Sequence, residues 1–170
     1  MAQRGVQSSR ALAVSQAAMA MEAMFKAMFA AGYTDMWVTS GYRSYNKQVQ
    51  LYNSYVTQEM NENPKWTKAE AEAEVDTYSA RAGTSEHQTG LCADLHNLSS
   101  ASQKFAKEKA YTCLCENAWK FGFILRFPED KTDITRYDFE PWHWRYVGRY
   151  HAYKIWSANL CLEEYLETLH

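Results

Sequence analysis

The chain has 170 residues, a formal net charge of −2, and 46% hydrophobic and 15% aromatic residues. That length suits a single domain, residues 1–170, around one sizeable core, and the composition excludes a disordered chain. The slight negative charge lacks the basic field that a nucleic-acid partner requires, and no run reaches the roughly 18 apolar residues of a membrane span.

The N-terminal third opens on an Ala- and Met-rich stretch, Met1 to Tyr33, interrupted by Gln16, Glu22 and Lys26. It does not have the pattern of a signal peptide. Val14, Met21, Met24, Phe25, Met28 and Phe29 follow helical spacing, and Gly32 is placed to cap that helix. The Met stripe reads as core, because Met fills irregular gaps. Met36 to Ser40, "MWVTS", has the character of a strand. Ser44 to Met60 reads as a helix ended by "NENP", and "TKAE", Thr67 to Glu70, is a capping box that opens another.

"RAGTSEHQTG" is a loop and "LCADL" a strand. Residues 104–122 form an amphipathic helix closed by Gly122. "FILRF" is a strand and "PEDKTD" a turn. "ITRYDFEPWHWRYV" gives two strand-like pieces around Pro141, and a last helix runs over residues 149–169. Helices flanking a strand-rich centre predict an α+β fold with a small, mostly antiparallel sheet. The four cysteines, Cys92, Cys113, Cys115 and Cys161, are too few for a disulfide scaffold.

Chemistry concentrates in two stretches. In "SEHQTGLCADLHN", Asp94 follows a short apolar run, and a buried carboxylate is costly unless it meets a cation. In "FEPWHWRYVG", Glu140 precedes His143 by three residues. His87, Asp94 and His143 make two imidazoles and one carboxylate, which hold a metal while leaving a fourth position open, as catalytic zinc requires. Such an ion lowers the pKa of a water to about 7. Glu140, next to a ligand and not needed as one, is the candidate base.

"SGYRSYNKQ", "GTSEHQTGLCADL", "ENAWKFGFILRFP" and "EPWHWRYVG" resemble the VanY-type D-alanyl-D-alanine carboxypeptidases, zinc peptidases related to lysostaphin-type enzymes and the hedgehog domain. The resemblance runs from about the first helix to Gly148. It implies Zn2+ held by His87, Asp94 and His143, with Glu140 as general base. It implies that Arg43 binds substrate and stabilises the oxyanion, and that Gln48, Ser85 and Tyr137 shape the pocket. The sequence departs from the pattern at Cys92, where alanine is usual, and lacks the prolines often found before "SEH". Cys92 shares the strand face of Asp94 and is expected to be an inert buried thiol. His96 is expected on a surface loop, Cys113 and Cys115 point apart on their helix, and His151 and His170 stand away from the site.

The resemblance implies removal of the terminal D-alanine from peptidoglycan stem peptides. The alternatives are an L,D-carboxypeptidase acting on tetrapeptide stems and a non-catalytic zinc module that recognises the cell wall. A monomer acting in the extracytoplasmic bacterial envelope is expected, with an export signal or membrane anchor outside this stretch of sequence.

Overall fold

The computed structural model describes residues 14–169. Residues 1–13, which carry the start of the stretch tested against a signal-peptide pattern, and His170 lie outside them. The architecture is α+β. Helix α1 (Ser15–Ala30) is followed by β1 (Trp37–Ser40), α2 (Tyr45–Glu62), α3 (Lys68–Val75), β2 (Cys92–His96), α4 (Lys109–Asn117) and β3 (Phe123–Leu125). Then come a short α5 (Thr132–Thr135), β4 (His143–Tyr146), α6 (Arg149–Ala158) and α7 (Leu162–Glu167). The four strands pair antiparallel in the order β1-β2-β4-β3. No helix among the described residues is long and apolar enough to cross a membrane.

Local chemistry explains the boundaries. The Gly32 backbone takes φ +97°, a conformation open to glycine, two residues after α1 ends. Ser44 caps α2 by accepting from the Lys47 amide, and the Thr67–Glu70 capping box forms in both directions. Of the side chains that follow helical spacing, Met21, Met24, Phe25 and Met28 are buried, and Val14 and Phe29 are half-buried against the same core.

The sheet sorts its residues by alternation. Ala93 and Leu95 of β2, Phe123 of β3 and Trp144 of β4 face α1 and α4 and form the main core with Met21, Met24, Phe25 and Leu114. Cys92, Asp94, His143 and Arg145 face the other way. Register then pairs them: Asp94 stands opposite His143, and Cys92 opposite Arg145. A smaller cluster, Tyr52, Val56, Ala71 and Val75, packs α2 on α3. Ile124 packs with Ala152, Ile155 and Tyr165, which brings α6 and α7 to β3.

Three expectations about elements are corrected. The helix over 104–122 breaks into a 3₁₀ turn (Gln103–Lys107), α4 and a second 3₁₀ turn (Ala118–Phe121), because Glu108 is extended at ψ 141°. The last helix splits at Asn159, which takes a left-handed φ of 52°. The first strand-like piece before Pro141 is no strand. Ile134 belongs to α5, Arg136 is left-handed at φ 64°, and the amides of Asp138 and Glu140 bond to Thr77 and Phe127 rather than to one neighbouring strand.

Candidate metal centre

His87 sits on a 3₁₀ turn (Glu86–Thr89) that Gly90 ends in a left-handed conformation at φ 69°. Two bonds tie this turn to the loop after β1. The His87 Nδ1–H donates to the Gly41 carbonyl at 2.7 Å, and the Arg43 amide donates to the His87 carbonyl at 3.2 Å. In the neutral imidazole Nε2 is then the bare nitrogen. Glu140, Pro141, Trp142 and His143 form a tight turn closed by the His143 amide donating to the Glu140 carbonyl, with proline second, where its fixed φ suits the turn. This fold of the chain lays the Glu140 carboxylate against the ring of His143.

The side chains converge. Asp94 Oδ1 lies 3.4 Å from His87 Nε2 and 3.3 Å from His143 Nδ1. Glu140 Oε2 lies 3.3 Å from the same His143 nitrogen. Donors about 2.1 Å from a tetrahedral zinc stand about 3.4 Å apart, and the two separations from Asp94 Oδ1 to the imidazoles match that spacing. His87 Nε2 and Asp94 Oδ1 are buried without a hydrogen-bond partner, which a cation between them would supply. The residues present therefore fit the metal. Cys92 is within reach too: one donor atom each of His87, Cys92 and His143 lie within 4.8 Å of one another.

The electrostatics match a site built around positive charge. Burial would lower the affinity of His87 for a proton, but the Asp94 carboxylate outweighs it and holds this imidazole up at about 9. Burial likewise opposes charge on Asp94, yet His87 and His143 keep its carboxyl far below the usual range. Burial raises Cys92, but the two imidazoles beside it bring the thiol below its ordinary value. Burial pushes Glu140 up, toward the range useful to a base that must later give its proton back.

A cleft of about 500 Å³ opens above this cluster. Arg43 lies at its edge, with Nη2 3.7 Å from Asp94 Oδ2 and Nη1 donating to Gln48 Oε1 at 2.9 Å. Gln48 is fully buried and also donates to the Ala80 carbonyl at 2.7 Å. Ser85 is buried in the wall, and Tyr137 stacks on Phe127, with ring centres 4.6 Å apart. His96 departs from the expectation of a surface loop. It ends β2 fully buried, edge-on to Trp37 and Phe105, because the strand runs two residues past Asp94. His151 bonds the Tyr165 hydroxyl on the C-terminal helices.

One group escaped the sequence reading. Glu86 accepts from His143 Nε2 at 2.7 Å and from Arg145 Nη1 at 2.6 Å, and Arg126 Nε approaches it to 3.2 Å. Burial works against its charge, but His143 and the two arginines hold its carboxyl down at about 2. The available signal was an acidic residue next to a ligand in "SEH"; its partner lies 57 positions away.

The sheet with a His/Asp/His cluster under a cleft, a carboxylate and a guanidinium beside it, is an arrangement able to hold one metal ion and leave one side open to the cleft. A family model described as VanY, D-alanyl-D-alanine carboxypeptidase, matches residues 11–149. The chain belongs to that family. It is 45% identical over 131 residues to a D-alanyl-D-alanine carboxypeptidase of Enterococcus faecalis, covering 77% of this chain and 47% of that one. The chain thus spans about half the length of this curated relative. The structure of the LdcB LD-carboxypeptidase, described as revealing peptidoglycan recognition, superposes with a TM-score of 0.77 at 37% identity, covering 90% of this chain and 67% of that one. A vancomycin-resistance D,D-pentapeptidase VanY variant in complex with Zn(II) gives 0.76 at 40% identity, covering 89% and 82%.

Proposed function

We propose that residues 1–170 form one zinc-dependent D,D-carboxypeptidase domain that removes the terminal D-alanine from peptidoglycan stem peptides or their precursors. The observation that carries this reading is the convergence of His87 Nε2 and His143 Nδ1 on Asp94 Oδ1, each at the edge length of a zinc tetrahedron, beneath a cleft edged by Arg43 and Glu140. The Zn(II) complex of the VanY relative supports zinc as the metal.

In this reading His87, Asp94 and His143 hold the ion. When bound, zinc supplies a Lewis acid that acidifies a water and polarises the scissile carbonyl. Glu140 takes the proton of the attacking water and delivers it to the leaving amine, so one carboxylate serves as base and then as acid. Its burial suits it to both roles. Arg43 offers a guanidinium to the terminal carboxylate of the substrate or to the oxygen that gains charge. Gln48 braces Arg43 and is itself held by the Ala80 carbonyl, and Ser85 and Tyr137 shape the wall. The protein acts as a monomer at the extracytoplasmic face of the bacterial envelope, where such peptides occur.

A second reading, L,D-carboxypeptidase action on tetrapeptide stems, is favoured by the likeness to LdcB, comparable to that with VanY. Purified tetra- and pentapeptide stems, incubated with the zinc-loaded protein and resolved by mass, separate the two. Loss of one D-alanine from the pentapeptide alone supports the D,D reading, and loss from the tetrapeptide supports the second. Glu140→Gln is expected to keep its zinc and lose about 10²–10⁴-fold in turnover; a fully active variant would remove Glu140 from the mechanism.

A further inference from the structure

His87 and His143 turn opposite nitrogens toward Asp94. His87 presents Nε2 because its Nδ1–H is held by the Gly41 carbonyl. His143 presents Nδ1, and the group that holds its Nε2–H is Glu86. A neutral imidazole carries one N–H, so whichever nitrogen is bonded outward leaves the other as a bare lone pair. The two outer partners differ in kind: one is a neutral carbonyl and the other an ionised carboxylate.

Glu86 is itself held. Its Oε1 meets His143 at 2.7 Å, while Oε2 meets Arg145 at 2.6 Å and Arg126 at 3.2 Å. Its side chain is only 16% exposed. Arg126 is in turn gripped from the far side by Glu163 on α7, through two parallel bonds of 3.0 and 2.6 Å. An anion needed only to neutralise two arginines would have no cause to face an imidazole edge. Glu163 lies beyond the residues matched by the family model, which end at 149.

We propose that Glu86 is a positioning residue for His143: it fixes the ring so that Nδ1 faces the metal, and Arg145 with the Arg126–Glu163 pair fixes Glu86, so that α7 supports the metal centre through a chain of side chains. The proposal rests on the reading that His143 holds zinc. An outer carboxylate on a ligating imidazole fixes its tautomer and orientation and raises its basicity, and losing one typically weakens metal binding about 10–100-fold.

The test is zinc affinity, measured by competition with a chromophoric chelator on metal-stripped protein, together with the visible spectrum of the cobalt(II) form. Glu86→Gln keeps the size and an acceptor oxygen but removes the charge, and is expected to bind zinc about 10–100-fold more weakly, with a shifted cobalt spectrum. Glu163→Gln is expected to move both readouts the same way by less. Wild-type affinity and spectrum in Glu86→Gln overturn the proposal, even where Glu86→Ala fails to fold. His143→Ala separates the two claims. If it binds zinc like the wild type, the ligand reading fails and the proposal with it. If it loses zinc while Glu86→Gln does not, the ligand reading stands and only the role of Glu86 is overturned.

Discussion

Asp94 and Cys92 leave β2 on the same face, and both reach toward His87 and His143. Asp94 Oδ1 sits at ligand spacing from both imidazoles and has no other partner. A thiolate added to the other three donors would close the fourth position and make the centre structural rather than catalytic. Asp94→Ala is therefore expected to lose zinc, and Cys92→Ala to retain about one per chain, by elemental analysis of dialysed protein; the reverse pattern would make Cys92 the ligand. Protons compete for the same atoms. His87 without metal holds its proton up to about 9, so at pH 7.5 it is a cation, whereas ligation needs the neutral ring. Zinc binding must then release protons, and apparent affinity must climb as pH rises toward 9 and fall on acidification. Calorimetry at pH 7.5 in two buffers of unlike ionisation enthalpy should give different apparent enthalpies; equal values would contradict the charged resting state.

Short elements carry the site, so their ends matter. Gly122 closes the 3₁₀ turn before β3 at φ +89°, and its carbonyl accepts the Val147 amide at 2.9 Å. A Cβ there would stand 2.8 Å from Tyr146 Cε2, 3.0 Å from the Gly148 carbonyl carbon and 3.1 Å from the Arg149 amide nitrogen. Two of these are backbone and cannot swing aside. Gly122→Ala is expected to cost more than about 1 kcal/mol in chemical denaturation, since the new residue fits neither the dihedral nor the space. An unchanged midpoint would mean that the β3–β4 corner is slack. The α2–α3 pair works by the same logic at the other side of the cleft: the capping box starts α3, Tyr52 and Val75 pack it on α2, and Gln48 on that helix then meets Arg43.

For the molecule as a whole, the sheet separates two tasks. One face buries Trp144, Phe123 and the α1 methionines, and the other carries the metal cluster. The core contains none of the cluster residues, and His143 meets His87 and Asp94 only where β2 pairs with β4, so an ion held by all three binds only the folded arrangement. Free zinc at about 1,000 times its dissociation constant should then add about 4 kcal/mol to stability. Thermal melting should shift upward with zinc and return on chelation, while the far-UV spectrum at 25 °C stays the same. Loss of the spectrum on chelation would mean that the sheet depends on the metal.

Periodicity and punctuation were enough to place α1, β1, α2, the capping box of α3 and β2, because each depends on residues within one or two turns of one another. The side chains that converge under the cleft were also legible, since "SEHQTGLCAD" and "EPWH" each keep two of them close along the chain. Other features were decided only when distant segments met. Register alone sets Asp94 opposite His143. The breaks at Glu108 and Asn159 and the loss of a strand before Pro141 follow from packing and from backbone bonds to remote carbonyls, which override an apolar pattern. His96 is buried because β1 and the Phe105 turn cover it. Glu86 finds His143, Arg126, Arg145 and, through Arg126, Glu163 from three different segments, and no local pattern in a sequence records a contact between side chains 57 positions apart.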